Sequence, residues 1–247
     1  IGSDNRRLQD PGDFNVDLEF SELDGSVTDD IVTLKATLNT GEVITRDVVI
    51  KYEDGAQWPS TYAIDWETVT DIQDAAQVVD GLWSHDANGV RPVNVGYDRV
   101  VALGDASWDY YQFETTVTIN SIDWITGQGG GFAFGMLWNG HTDDPVAGLQ
   151  PKAGWEPSSA FFFVASKEND GSGNFDINQY GDFYNRLDRA SFSVEVGETY
   201  NAVGRIEQSG AYDRLYSYKI WKDGDPEPID WLVQGVETHT APVTGGL

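Results

Sequence analysis

Apolar and polar side chains alternate along much of this chain, which is the pattern of β-strands with one buried face. The clearest example lies over residues 110–119, where every second side chain from Tyr111 to Ile119 is apolar or a threonine. Another strand is predicted over residues 98–104. Residues 104–107, Gly-Asp-Ala-Ser, have turn composition, because glycine accepts positive φ angles and Asp and Ser side chains cap backbone amides. The pattern therefore predicts two strands joined by a tight polar turn.

Three further strands are predicted near the start of the sequence, over residues 14–20, 31–38 and 43–50. Residues 39–42, Asn-Thr-Gly-Glu, predict a β-hairpin between the last two, since glycine can take the left-handed turn position. Three strands alone make a marginal core. We therefore expect residues 1–56 to be either part of an immunoglobulin-like module or an arm that pairs with a neighbour.

A domain boundary is predicted where Glu-Asp-Gly at residues 53–55 is followed by Trp-Pro-Ser at residues 58–60. From residue 57 onward, short aromatic-rich runs recur at the spacing of an all-β sandwich. The predicted fold class is therefore all-β, with a β-sandwich over residues 57–247 after the short N-terminal segment. Strands are expected near residues 62–69, 77–84, 90–95, 98–104, 110–119, 130–138, 159–167, 174–180, 190–196, 199–207, 212–222 and 229–236.

The chain has 247 residues, of which 41 are acidic and 15 basic, for a net charge of −26. Such a charge repels nucleic-acid phosphates and anionic lipid head groups, so neither nucleic acid nor membrane insertion is expected. The acidity fits a surface in salty water or one loaded with divalent cations, and equally a surface that is acidic for solubility alone. The sequence has no cysteine, which excludes disulfides, thiolate metal sites and a cysteine nucleophile.

Several runs resemble the laminin-G-like jelly rolls of the concanavalin A-like lectin and glucanase superfamily. The run from Leu103 through Trp108 and Asp109 to Tyr111 resembles the start of a characteristic strand. Residues 129–138, which are Gly-rich and then read Phe-Ala-Phe-Gly-Met-Leu-Trp, resemble the next sheet strand of these jelly rolls. Residues 200–207 and 215–224 are similar to the pair of strands that comes late in the jelly-roll sequence. Over about residues 75–247 the resemblance implies a concanavalin-like jelly roll.

In that superfamily one more strand follows a glycine-rich turn that ends in leucine. Here Gly245, Gly246 and Leu247 are the last residues of the sequence. The resemblance implies that the final strand either lies beyond this sequence or comes from the N-terminal arm or another subunit. A sheet that lacks one strand exposes unpaired N–H and C=O groups, which is a route to strand exchange and assembly.

Two groups of residues are candidate calcium ligands. In the Gly-rich stretch over residues 170–176, oxygen-bearing side chains stand at alternate positions, namely Asp170, Ser172, Asn174 and Asp176. In a loop they could converge on one hard cation, although a solvated hairpin turn explains the same composition. Asp105 and Asp109 form the second candidate, since laminin-G-like folds often hold calcium at a sheet rim; the alternative is turn capping by Asp.

Aromatic residues in predicted loops are candidates for binding a carbohydrate. Flat aromatic faces stack on the apolar C–H faces of sugar rings, while neighbouring Asp, Asn and Arg side chains bond the hydroxyls. Most Trp and Phe residues are nonetheless expected in the core. The candidate sugar-binding residues are Trp138, Asn139, Trp155, Tyr180, Asp182, Tyr184 and Arg186.

The sequence offers no convincing catalytic set. The nearest match to the two-carboxylate strand of the superfamily's glucanases lies over residues 17–22, before the predicted sandwich. We therefore expect a non-catalytic module of a secreted or surface protein, carbohydrate-binding and calcium-stabilised, with a polysaccharide or glycan as partner. One alternative is a structural subunit of an extracellular filament, sheath or adhesin that pairs strands with other copies of itself. Another is a polysaccharide hydrolase or lyase.

Overall fold

The computed structural model divides the chain into two compact units, Ile1–Ala63 and Ile64–Leu247. Each unit is described by itself. Among the described residues the secondary structure is almost entirely β, which confirms the predicted fold class. No helix in this part of the chain is long and apolar enough to cross a membrane. The structure describes residues 29–51, 58–94, 99–122, 130–138, 159–166, 170–179 and 185–247.

The described part of the first unit contains one hairpin, in which β1 (Asp29–Thr37) pairs antiparallel with β2 (Val43–Lys51). Gly41 has a φ of +85°, and the Leu38 N–H donates to the Glu42 carbonyl at 2.8 Å. The predicted hairpin and its glycine turn are therefore confirmed. The strand predicted over residues 14–20 lies outside the described residues.

The second unit is built from short antiparallel strands connected by turns. A single 3₁₀ turn, Ile72–Asp74, is the helical segment among its described residues. The strands are β3 (Gln77–Asp80), β4 (Trp83–Asp86), β5 (Gly89–Pro92), β6 (Val100–Ala102), β7 (Gln112–Thr118), β8 (Gly131–Met136), β9 (Ser159–Ala165), β10 (Ser172–Gln179), β11 (Arg186–Ser193), β12 (Thr199–Gln208), β13 (Arg214–Lys222) and β14 (Val233–Glu237).

Two four-stranded antiparallel sheets dominate this unit. The first sheet has the order β11-β10-β9-β8, and the second sheet has the order β14-β13-β12-β7. Two smaller pairs, β3-β6 and β4-β5, accompany them. Buried side chains from both sheets form one hydrophobic cluster, which includes Phe113, Met136, Phe161, Phe163, Phe175, Ile177, Tyr200, Ile206, Tyr216, Tyr218 and Ile220. The second unit is thus a β-sandwich whose core lies between the two sheets.

The centre of this core is aromatic. The ring of Tyr218 on β13 stacks on Phe161 of β9, with ring centroids 4.9 Å apart, and lies 4.9 Å from Phe175 of β10. Phe134 of β8 lies 5.9 Å from the same ring. Offset and tilted contacts of this kind stabilise a core beyond simple area burial. These ring contacts join the two sheets and set the position of one sheet on the other.

Two predicted strands differ from the structure for local reasons. Residues 62–69 are not a strand: the Thr68 N–H donates to the Asp65 carbonyl at 3.0 Å, which closes a turn. The strand predicted over residues 77–84 is divided into β3 and β4 at Gly81, whose φ is +85°. The positive φ at this position favours glycine, because other residues rarely adopt that backbone angle.

The last three residues run between two other segments of the second unit. Gly246 exchanges two backbone hydrogen bonds with Trp138, and Leu247 exchanges two with Leu103. The Tyr111 hydroxyl donates to the Gly246 carbonyl at 2.7 Å and accepts from the Leu137 N–H at 2.8 Å. Gly246 and Leu247 are therefore paired with two different segments, Gly246 through an isolated β-bridge to Trp138; we call residues 245–247 the closing segment.

The glycines of this closing segment are required by close backbone approach. A Cβ on Gly245 would lie 2.2 Å from the carbonyl carbon of Leu137. A Cβ on Gly246 would lie 2.4 Å from the carbonyl oxygen of Leu103. Because backbone atoms cannot swing aside as a flexible side chain can, any larger residue would push the segment out of place.

We predict that Tyr111→Phe destabilises the second unit by about 1–3 kcal/mol, because the buried Leu137 N–H loses its acceptor and the Gly246 carbonyl loses one of its two donors. Tyr218→Phe is the matched control. Its hydroxyl is fully buried and has no hydrogen-bond partner among the described residues, so removing it should leave stability unchanged or slightly higher. Urea unfolding followed by tryptophan fluorescence measures both. Equal losses in the two variants would contradict the role given to the Tyr111 hydroxyl.

Candidate functional site

The second sheet turns one face to the core and the other face away from it. On β12, Tyr200, Ala202 and Ile206 belong to the core, so strand alternation puts Asn201 and Arg205 on the opposite side. We call this opposite side the outer face. Across β7, β12 and β13 its rows are Thr116, Asn201 and Trp221; Glu114, Val203 and Lys219; and Gln112, Arg205 and Ser217.

A depression of about 330 Å³ lies on the outer face. Its floor comes from the row that contains Asn201 and Trp221, and Glu227, which follows β13, forms part of its wall. The full lining is Glu114, Thr115, Thr116, Asn201, Ala202, Val203, Trp221 and Glu227. The site therefore combines one large aromatic ring with hydroxyl, amide and carboxylate groups.

Lys219 holds the segment after β13 against the outer face. Its Nζ pairs with Glu227 at 2.5 Å and donates to the Pro228 carbonyl at 3.0 Å. It also lies 5.0 Å from the centre of the Trp231 ring, a cation–π distance. The Lys219 side chain is only 12% exposed, so these contacts are partly shielded from water. Lys219, a residue of the sheet, therefore holds Glu227 at the edge of the depression.

A chain of polar contacts crosses the outer face from Trp231 toward Glu114. The Arg205 guanidinium lies over the Trp231 ring at 5.0 Å, and its Nε donates to Oε1 of Gln112 at 2.7 Å. Nε2 of Gln112 in turn donates to Oε1 of Glu114 at 2.8 Å. These contacts orient the Glu114 carboxylate at the depression before any ligand binds.

Asn201 is oriented in a similar way on the other side of the depression. Its Nδ2 donates to Oδ1 of Asp223 at 3.0 Å, and it stands opposite Trp221 in the register of β12 and β13. The amide therefore lies beside the indole ring. A flat apolar surface next to oriented polar groups is the arrangement that a sugar ring needs, because such a ring has apolar C–H faces and hydroxyls at its edge.

The sugar-binding residues predicted from the sequence do not line this depression where they are described. Trp138 lies at the closing segment, where its backbone pairs with Gly246. Arg186 directs its Nε to Oδ2 of Asp176 at 3.2 Å. The other predicted residues lie outside the described part of the chain: Asn139, Trp155, Tyr180, Asp182 and Tyr184.

The first predicted calcium group lies mostly on a strand instead of a loop. Asp170 accepts from the Ser172 hydroxyl and from the Ser172 N–H at 2.9 Å, and these hydrogen bonds lower the pKa of its carboxyl. Ser172, Asn174 and Asp176 then belong to β10, where alternate side chains lie about 6.5 Å apart along one face. The convergence expected of a loop is therefore not present.

Asp176 and the second predicted group have other roles in the structure. Asp176 is 2% exposed and accepts from Nε and Nη2 of Arg189, and this pairing raises the pKa of the guanidinium further. Asp105 caps its turn by accepting the Ser107 N–H at 2.9 Å, and Asp109 is exposed. The described residues contain no cluster of three or more potential metal ligands. Calcium binding by this chain stays a prediction.

No family model, curated protein or solved structure matches this chain. The resemblance to the concanavalin-like superfamily therefore stays a prediction, and the candidate site depends on its own geometry. Sequence reasoning missed Trp221 because it searched loops. The available signal was the alternation within β13, which places Trp221 and Lys219 in the phase opposite to the buried Tyr218 and Ile220.

We predict that Asp176→Asn lowers the free energy of unfolding by about 1–3 kcal/mol, because two arginines lose a buried charged partner while staying partly solvated. Asp170→Asn is the matched control on an exposed turn and should cost clearly less, because solvent screens its interactions. Urea unfolding measures both, with and without calcium. Equal effects would contradict the structural role of Asp176, and a calcium-dependent gain that Asp170→Asn abolishes would support the predicted metal site.

Proposed function

We propose that the second unit binds a carbohydrate chain on the outer face of the second sheet, as a non-catalytic module of a secreted or surface protein. The observation that carries this proposal is the depression, which is lined by the Trp221 ring, by the Asn201 amide opposite it and by the Glu114 carboxylate. The ring supplies a stacking surface, the carboxylate accepts hydrogen bonds from hydroxyls, and the amide donates and accepts them.

The charge around the depression favours a neutral sugar. Glu114 and Glu227 line it, and Asp223 is held beside Asn201. The nearest cations are already engaged, since Lys219 pairs with Glu227 and Arg205 is stacked on Trp231. In a chain of net charge −26, a uronate or a sulfated sugar would meet repulsion with no free positive group in the depression among the described residues.

The site is also preorganised, which supports binding. Gln112, Arg205 and Trp231 hold Glu114, while Asp223 holds Asn201. Side chains that are fixed before binding lose less conformational entropy when the ligand arrives. A shallow site on a sheet can therefore bind a sugar although it does not enclose it.

We predict that Trp221→Ala weakens binding of a neutral oligosaccharide about tenfold or more, the equivalent of about 1.4 kcal/mol. Screening of the whole chain on a glycan array selects the oligosaccharide, and titration calorimetry gives its affinity. Tyr212→Ala, at an exposed aromatic outside the depression, is the control and should bind as the wild type. The proposed sugar site is contradicted if Trp221→Ala and Tyr212→Ala bind the oligosaccharide with equal affinity, or if the chain retains only acidic glycans.

A second candidate is a polysaccharide hydrolase or lyase, which Glu114 and Glu227 favour because they line the same depression. Glycoside hydrolysis commonly uses two carboxyl groups, one of which donates a proton to the leaving oxygen. Because Lys219 already pairs with Glu227, Glu114 would be the residue to act as that acid.

For the binding module we predict that the wild type releases no reducing ends or unsaturated products from the polysaccharide it retains. Glu114→Gln should then change affinity by less than about tenfold, because an amide of the same shape still hydrogen-bonds hydroxyls through its C=O and NH2 groups. Reducing-sugar and ultraviolet assays on bound polysaccharide provide the measurement. Product release that Glu114→Gln abolishes would replace the binding module with an enzyme.

A further inference from the structure

The carboxylates that repel an acidic sugar from the depression are not all neutralised by cations of the chain. Glu227 is neutralised, because Nζ of Lys219 pairs with it at 2.5 Å. Glu114 and Asp223 instead accept hydrogen bonds from neutral side-chain amides. Neither of these two carboxylates forms an ion pair with a described residue. The depression therefore has an excess of negative charge before a ligand binds.

The neighbouring cations Arg205 and Lys222 have carboxylate partners of their own. Nη1 of Arg205 lies 3.8 Å from Oε1 of Glu207. Nζ of Lys222 lies 3.2 Å from Oε1 of Glu198. Neither cation is among the residues that line the depression. The charge of Glu114 is therefore open to a positively charged group of a ligand.

The aromatic ring of the depression favours the same kind of ligand. The face of an indole ring attracts a cation, because the ring quadrupole is negative there. Trp221 lines the depression together with Glu114. The ammonium of Lys219 lies 6.0 Å from the centre of the Trp221 ring, but its pairing with Glu227 leaves no net charge to oppose a second cation.

Glu114 and Trp221 are close enough to act on one sugar ring. Their strands, β7 and β13, lie on either side of β12, so the two backbones are about 10 Å apart. A sugar ring that stacks on the indole can therefore direct a substituent at its edge toward the Glu114 carboxylate. A lysine side chain offers the same charge but no rigid apolar face for the indole to stack on.

We infer that the depression prefers a sugar with a protonated amino group, such as a glucosamine chain whose amines are not acetylated. This inference rests on the proposed function, because it requires the stacking site at Trp221. Glu114 is exposed, and ion pairs at exposed positions are weak because water and salt screen them. The preference over a neutral sugar is therefore about fivefold.

A set of oligosaccharides of equal length tests this inference on the full chain. The set consists of a glucosamine oligomer, its fully N-acetylated form and the corresponding glucose oligomer. Titration calorimetry in mildly acidic buffer, where the sugar amine is protonated, should show the glucosamine oligomer binding about fivefold more tightly than either neutral oligomer. In mildly alkaline buffer, where the amine is neutral, this difference should disappear.

Variants of single carboxylates locate the effect. Glu114→Gln should abolish the preference for the glucosamine oligomer, whereas Glu114→Asp keeps the charge and should keep the preference. Glu67→Gln is the matched control, because Glu67 is an exposed carboxylate of the same unit outside the depression. It should bind each oligomer as the wild type does. Trp221→Ala should weaken binding of every oligomer.

The outcomes separate this inference from the proposed function. If Trp221→Ala weakens binding but the wild type binds all oligomers equally, the amino-sugar preference is wrong and the sugar site stands. If no oligomer binds, or if Trp221→Ala binds each as the wild type does, the sugar site is wrong and the inference with it. The inference is also overturned if Glu67→Gln lowers the preference as much as Glu114→Gln, or if a lysine peptide of equal length binds as tightly as the glucosamine oligomer.

Discussion

One hydroxyl group holds the closing end of the second unit together. At the end of β8, Leu137 has a φ of +58°, so that both Leu137 and Trp138 turn their N–H groups toward the Gly246 carbonyl. Trp138 reaches it directly, and Leu137 reaches it through the Tyr111 hydroxyl. Burial raises the pKa of Tyr111 well above its usual range, so the hydroxyl keeps the proton that it donates. Without this bridge, a buried N–H would lose its acceptor, and backbone hydrogen bonds alone would hold the segment between β6 and β8.

The candidate site depends on the core through strand alternation. β12 and β13 present Tyr200 and Tyr218 to the core and, one residue later in each strand, Asn201 and Lys219 to the outer face. A shift of register by one residue would exchange the two sets, which the stacked core rings prevent. The geometry of the depression therefore depends on the aromatic core behind it, although Glu114, Thr116 and Glu227 are themselves exposed.

Alternation and turn composition predicted most of the strands but little of the site. The sequence predicted the glycine turn at Gly41 and the alternating strand β7, because both depend on residues that are close together in the sequence. The depression was not, because it joins Glu114 with Trp221 through cross-strand register, and Glu227 reaches it only through Lys219. Of the predicted calcium ligands over residues 170–176, Asp170 precedes β10, whereas pairing with β9 and β11 places Ser172, Asn174 and Asp176 on that strand; calcium binding stays a prediction. Long-range pairing, which one sequence does not reveal, decided each of these cases.

The proposed sugar site uses side chains on the face of the second sheet, and contacts within that sheet hold them in place. An open depression of this kind touches only one side of a sugar ring, so its affinity for a single sugar chain is modest. Several copies of the site on one surface would present many such depressions to one polysaccharide. Binding at the second and later sites then becomes effectively intramolecular, so avidity can supply the affinity that a single shallow site lacks.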